Sequence, residues 1–275
     1  RLQTIRHAMF HIAANLPETE KKCLNIAMVY NPDEEIGSIY SKEITDRIGC
    51  QADHIFVMES AGKNGTRHCF ARKGSLTYDI EFQGQAAHAG FMFEVENASA
   101  VLEMGHYIVE LMNLADREKD TTVNVGIANG GTARNVVADH AKISVEMRFW
   151  DDSERIRLKE YVNKITKGQP FVPGVKTTIA MQKETPPFIK TEEAKKYIER
   201  VRKVAEEQGI PFEEKDRGGL SDANHLSRCG NAIVMDGMGP HGANDHSEKE
   251  YGYIGSVEPC VKLHLAILND MLNKQ

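Results

Sequence analysis

The sequence predicts an α/β fold interrupted by a smaller ferredoxin-like βαββαβ α+β domain, and three observations carry that prediction. Short, nearly continuous apolar runs, "CLNIAMVY", "ADHIFVME" and "NAIVMD", each lead into acidic residues, as strands buried on both faces of a parallel sheet do. From about Gly74 the period changes to strict apolar–polar alternation, the mark of half-exposed strands. The pair Pro186-Pro187 then breaks the pattern before buried elements resume.

Taken in order, "CLNIAMVY" and "ADHIFVME" read as parallel strands joined by a helix-length segment, Ile36 to Ile48. In "SLTYDIEFQ", Leu76, Tyr78, Ile80 and Phe82 alternate with polar residues. A helix follows, with Val101, Met104, Ile108, Leu111 and Ala115 at three- and four-residue steps and Asn97 as its cap. Alternation returns at Val123, Val125 and Ile127, and again at Ile143, Val145, Met147 and Phe149. A polar helix from Ser153 to Lys167 and a strand from Val175 to Met181 complete the inserted unit. Beyond the prolines come a helix from Glu192 to Gln208, a helix starting at Ser221, the strand "NAIVMD" and a closing helix from Ile254 to Leu272. The expected domains are 1–74, 75–186 and 187–275, the first and last being two parts of one domain.

A net charge of −6 and a pI near 6.0 argue against nucleic acid or an anionic membrane as partner. No apolar run reaches the ~18 residues of a membrane helix. Five widely spaced cysteines without a C-x-x-C read as reduced thiols of a cytoplasmic protein.

"DGMGPHG" matches G-x-G-x-x-G, but Pro240 falls inside it and no helix opens behind it, so a dinucleotide site is disfavoured. The acids are more informative. Asp33, Glu34 and Glu35 crowd the end of one expected strand, Glu59 follows another, and His246 lies past a third. Parallel strands bring such ends to one edge, and carboxylates with an imidazole are zinc-type ligands. Adjacent Glu34 and Glu35 point different ways, so one suits a metal and the other a general base. A solvated acidic loop is the plainer reading of any one piece. Likewise His88 alone is an ordinary exposed histidine, and Asn135 a turn residue after "GGTAR". Arg148, opposite the core-facing positions of its strand, is either a surface arginine or a fork for a substrate carboxylate.

The ordered series "NPDEEIGS", "VMESAG", "GQAAHAGF", "NGGTARNVVAD", "VEMRF", "GLSDAN" and "NDHSEKEY" resembles the zinc-dependent aminoacylase/carboxypeptidase family, from about Asn25 to the C-terminus. The resemblance implies a zinc-exopeptidase-like catalytic domain carrying an inserted lid, or dimerisation, domain. It implies two zinc ions, with cobalt or manganese as substitutes, and a homodimer formed through the lid. By resemblance Glu34 is the general base and acid, Glu35 and His246 bind one metal and Glu59 the other. His88 reaches the neighbouring subunit's site and stabilises the oxyanion, while Arg148 and Asn135 hold the substrate's carboxylate end. The implied reaction is hydrolysis of an N-acyl amino acid or small peptide with a free carboxylate. The family's upstream H-x-D segment and its bridging aspartate are not found; residues 1–24, with His7 and His11, look like the helix after that aspartate. The catalytic domain is therefore expected to be partial, lacking upstream strands, and this chain alone to be inactive. The competing expectation is a non-catalytic dimeric module with an incomplete metal site. A third, nucleotide-dependent reading of "GMGPHG" predicts that NAD or NADP raises thermal stability.

Overall fold

The computed structural model describes residues 2–16, 24–62, 65–244 and 247–273. In chain order its elements are α1 (Leu2–Ala14), α2 (Lys42–Gly49), β1 (His54–Phe56), β2 (Arg67–His68), β3 (Gly74–Gln83) and β4 (Ala87–His88). There follow α3 (Ala100–Met112), β5 (Thr122–Gly130), β6 (Val136–Val137), β7 (His140–Phe149), α4 (Asp152–Lys167) and β8 (Lys176–Thr185). The last are α5 (Glu192–Glu207), β9 (Glu213–Glu214), α6 (Ala223–Leu226), β10 (Ile233–Met235), β11 (Gly242–Ala243), β12 (Tyr251–Gly252) and α7 (Val257–Leu272). Contacts divide the chain into two units, one of Arg1–Arg72 with Phe188–Gln275, the other of Lys73–Pro187.

The unit Lys73–Pro187 is a four-stranded antiparallel sheet in the order β5-β7-β3-β8, the ferredoxin-like arrangement. The alternation read from sequence sets its core: Leu76, Tyr78, Ile80 and Phe82 of β3 and Ile143, Val145, Met147 and Phe149 of β7 are all buried. They pack with Tyr107 and Leu111 of α3 and Leu158 and Val162 of α4. Each such side chain contributes roughly 1.5–3 kcal/mol. Two glutamates are buried there and fully engaged. Glu103 accepts hydrogen bonds from the Phe171 N–H at 3.2 Å and the Val172 N–H at 2.6 Å. Glu154 is gripped by Arg157, by Lys119 at 2.6 Å and by the Thr121 hydroxyl at 2.8 Å.

Two expectations fail in this unit. The cap of α3 is Ser99, whose hydroxyl accepts from the Leu102 N–H at 3.2 Å. Asn97 instead donates its amide to the carbonyls of Met92 and Val95, tying a loop. Ile127 does not continue the inward face of β5. A register shift between Val125 and Ile127 turns it out, and it is 55% exposed.

In the other unit β1 and β10 pair in parallel, with Ile55 opposite Val234, as continuous apolar strands predict. Phe70, Ile198, Val201, Met235, Leu263 and Ile267 form its core between α5 and α7. The expected strand "CLNIAMVY" is not formed over the described residues 24–30. Ile26, Val29 and Tyr30 are 43%, 40% and 54% exposed; no described strand pairs with them, and without a ladder partner an apolar run has nothing to hold it extended. The expected helix Ile36–Ile48 is split into a 3-10 turn, Glu34–Ile36, and α2. The break lies at Gly37 and Ser38, both with positive φ (91° and 56°), which no helix accommodates. The helix expected from Ser221 is only the single turn α6, and the closing helix begins as a 3-10 turn, Ile254–Ser256. Cys50, Cys69, Cys229 and Cys260 are free thiols; Cys23 lies outside the described residues. No helix among the described residues is long and apolar enough to cross a membrane.

Candidate functional site

The acidic loop is held from within. Asn31 accepts from the Asp33 N–H at 3.0 Å and the Ser41 hydroxyl at 2.7 Å, and donates to the Ser38 hydroxyl at 2.8 Å. Asp33 accepts from the Tyr40 N–H at 2.7 Å through Oδ2, and hydrogen bonds from Ser41 and Tyr40 hold its carboxyl below the usual range. The loop then turns through Glu34–Ile36, closed by the Gly37 N–H on the Glu34 carbonyl at 2.7 Å. This turn aims Glu34 inward. Burial, then the neighbouring charges of Glu59, Asp222 and Glu35, push its pKa up to about 7, with Arg72 acting the other way. The structure thus brings Glu34, Glu35 and Glu59 together.

Glu59 owes its place to the glycines that mimic a nucleotide fingerprint. Its carbonyl accepts from the Gly239 N–H at 2.8 Å, and the Gly239 carbonyl accepts from Ala61 at 3.2 Å. A Cβ on Gly239 would stand 2.3 Å from the Met58 carbonyl oxygen, so only glycine allows this approach. The following segment is bracketed to the same place, with the Gly242 N–H donating to the Ser60 hydroxyl at 3.0 Å. His246 lies outside the described residues.

Sequence reasoning assigned no role to the groups that brace this loop. Asp222, from "GLSDAN", accepts from Asn31 at 2.6 Å and from Ser38 at 2.5 Å. His225 spans two carboxylates, with Nε2 3.0 Å from Asp222 and Nδ1 2.5 Å from Asp46. Burial alone would lower the His225 pKa, but its bonds to Asp222 and Asp46 outweigh that and raise it. The same contacts, against burial, hold Asp222 below its usual value. Arg72 is buried against Asp236 and donates to the carbonyls of Gly219 and Leu220 at 3.0 and 3.2 Å, fixing the loop that presents Asp222. The one available signal was charge in apolar context, such as Asp236 at the end of "NAIVMD".

In the Lys73–Pro187 unit, β4 pairs with β6, His88 opposite Val136, and the Ala89 N–H donates to the Asn135 carbonyl at 2.9 Å. His88 and Asn135 are therefore neighbours. His88 Nδ1 accepts from the Gly90 N–H at 3.1 Å, which leaves the proton of the neutral ring on Nε2. Arg148 sits on the outward face of β7, 2.7 Å from Glu146. It is near the end of the strand opposite His140, eight positions along from it, about 27 Å of strand. The loop carrying Asn135 leaves from the His140 end.

The donor chemistry of the acidic cluster fits a divalent cation in two respects. The carboxylates of Glu59, Asp222 and Glu35 are near enough to Glu34 for their charges to raise its pKa, and the buried Asp33 Oδ1 has no hydrogen-bond partner. Glu35 and Glu59 are the carboxylates that would hold such an ion. Among the described residues, however, no three potential ligands are grouped closely enough to hold a metal.

Residues 70–170 match the model of a family described as the peptidase dimerisation domain. The chain is 22% identical over 248 residues to carboxypeptidase G2 of a Pseudomonas species, covering 90% of this chain and 59% of that one. It is 28% identical over 149 residues to acetylornithine deacetylase of Myxococcus xanthus, covering 50% of this chain and 37% of that one. The crystal structure of the aminopeptidase PepT from Bacillus cereus superposes with a TM-score of 0.70 at 22% identity, covering 87% of this chain and 62% of that one. The chain thus spans 59% and 37% of the length of these two curated relatives.

Proposed function

We propose that this chain, whose residues 70–170 match the peptidase dimerisation domain, is part of an M20-family peptidase and carries the base, part of the metal-ligand set and the lid of a zinc-dependent amidohydrolase. The substrate is an N-acyl amino acid or small peptide with a free carboxylate, the class to which the names of its relatives point. One observation supports this most: Glu34 and Glu35 of one loop and Glu59 of a distant segment lie near enough to act on one another's charge, beside a brace from Asp222.

In this reading Glu35 and His246 would be among the ligands of one zinc ion and Glu59 among those of a second, and such ions when bound would polarise the substrate carbonyl and acidify water. Glu34, aimed inward by its turn, takes the proton from the attacking water and returns it to the leaving amine. His88 presents an Nε2 proton, the tautomer needed to stabilise a developing oxyanion. Asn135 beside it and Arg148 bind the substrate's polar end. About 27 Å of strand separates their two ends of the sheet, too far for one protomer to close both on a small substrate. We therefore place His88 and Asn135 in the site of a second copy, in a homodimer formed through the lid. An apolar stripe on α3, Leu102, Val109 and Met112 at 55%, 59% and 42% exposed, supports such an interface.

A non-catalytic dimeric module is the second reading, favoured by the lack of a three-ligand group among the described residues. Elemental mass spectrometry of the protein purified without chelator, followed by assays on N-acyl amino acids, separates the two. In a protein that supplies the remaining metal ligands, bound zinc with amide hydrolysis is expected; neither zinc nor turnover leaves the module.

A further inference from the structure

The network that braces the acidic loop ends, on its far side, at two thiols. Cys50 directly follows α2 and is exposed, while Cys229 follows α6 and is buried. The Cys50 thiol is near enough to raise the pKa of the Cys229 thiol. The backbones are close as well: a Cβ on Gly49 would lie 3.6 Å from Cys229 Sγ, and one on Gly230 would lie 3.9 Å from the Cys50 carbonyl oxygen. Cys229 Sγ also donates to the Asp46 carbonyl at 3.4 Å and lies 3.8 Å from Asp46 Oδ1, the oxygen that holds His225. The other two described thiols differ. Cys69 and Cys260 are each buried on a backbone carbonyl, of Ala71 and Met238 respectively.

We propose that Cys50 and Cys229 are a reversible oxidation site, forming a disulfide that clamps α2 to the segment after α6, next to the Asp46–His225–Asp222 network. The oxidant is a peroxide. The Cys50 thiolate attacks one peroxide oxygen, the O–O bond breaks, and Cys50 becomes a sulfenic acid as hydroxide leaves. Cys229 sulfur then attacks the sulfenic sulfur, the S–O bond breaks, and its thiol proton departs with that oxygen as water. Asp46 Oδ1 is placed to carry the proton. In sum two thiols and one hydrogen peroxide give one disulfide and two waters. The order follows from exposure and acidity: burial, with Cys50 and Asp46 alongside, pushes the Cys229 thiol up to about 12, so the accessible Cys50 reacts first. Forming the bond removes the Cys229 hydrogen bond to Asp46, at the root of the brace on the Glu34 loop. The inference is independent of any hydrolytic activity.

The test treats the whole chain with a small excess of hydrogen peroxide, alkylates remaining thiols and maps tryptic peptides. The expected product joins residues 48–63 to residues 229–249, disappears on adding dithiothreitol, and is lost in Cys50→Ser and in Cys229→Ser. In Cys229→Ser, Cys50 should accumulate as a sulfenic acid captured by dimedone. Cys50→Ser, at an exposed position, should fold normally and leave Cys229 reduced, which keeps the test valid if Cys229→Ser does not fold. Oxidation of wild-type Cys50 to sulfinic acid without the linked peptide, or a link from Cys50 to another cysteine, would overturn the proposal.

Discussion

Glu34 and its neighbours show how little a residue's chemistry is set by its own identity. Three adjacent acids differ because the backbone gives each a different surrounding: Asp33 is buried and hydrogen-bonded, Glu34 is half-buried against other carboxylates, and Glu35 is exposed. In a protein with the full ligand set, Glu34→Gln should cut turnover roughly a thousandfold while zinc content stays constant, since a base and not a ligand is removed. Loss of zinc in that variant would move Glu34 into the ligand set. Arg148→Ala should chiefly raise KM for carboxylate substrates by about tenfold or more, and an unchanged KM would take it out of the site. These acids were legible in the sequence because "PDEE" breaks an apolar run. Their brace was not: Asp222 and His225 act across 184 and 179 residues, on Ser38 and Asp46, and no local pattern announces a pairing so distant.

Among elements, legibility followed how far each depends on its own residues. The inward faces of β3 and β7 were readable because period-two alternation and burial express the same geometry. The bulge in β5 and the cap of α3 were not, since Ser99 and Asn97 are both good capping residues and only the chain's path decides between them. "CLNIAMVY" misled for a related reason: composition marks a run as fit for a strand, but pairing makes the strand. Glu154 offers a test at this scale. Its bonds to Arg157, against the cost of burial, and to Lys119 and Thr121 hold its pKa down at about 2, from an ordinary 4.5. A depressed carboxylate pKa stabilises the fold fully above the ordinary value and loses that contribution as pH falls towards the folded value. Glu154→Gln should therefore cost on the order of 2 kcal/mol near neutral pH. Melting curves of the two proteins should converge as pH drops from 5 towards 2, and a gap independent of pH would assign the loss to packing instead.

For the whole molecule, the proposal makes function a property of two copies. Val109→Glu places a charge in the exposed stripe of α3 and should shift the protein from dimer to monomer in sedimentation velocity, with its fold unchanged. A dimer that persists would put the interface elsewhere. Complementation is the sharper test, because it separates a dimer that merely stabilises from one that shares its sites. His88→Ala and Glu34→Gln homodimers should each be nearly inactive. Mixed and allowed to exchange subunits, half the dimers are hybrids, and in each hybrid one site has an intact Glu34 from one copy and an intact His88 from the other. About a quarter of wild-type activity should then return. If His88 served the acids of its own chain, every site in every hybrid would carry one defect, and mixing would restore nothing.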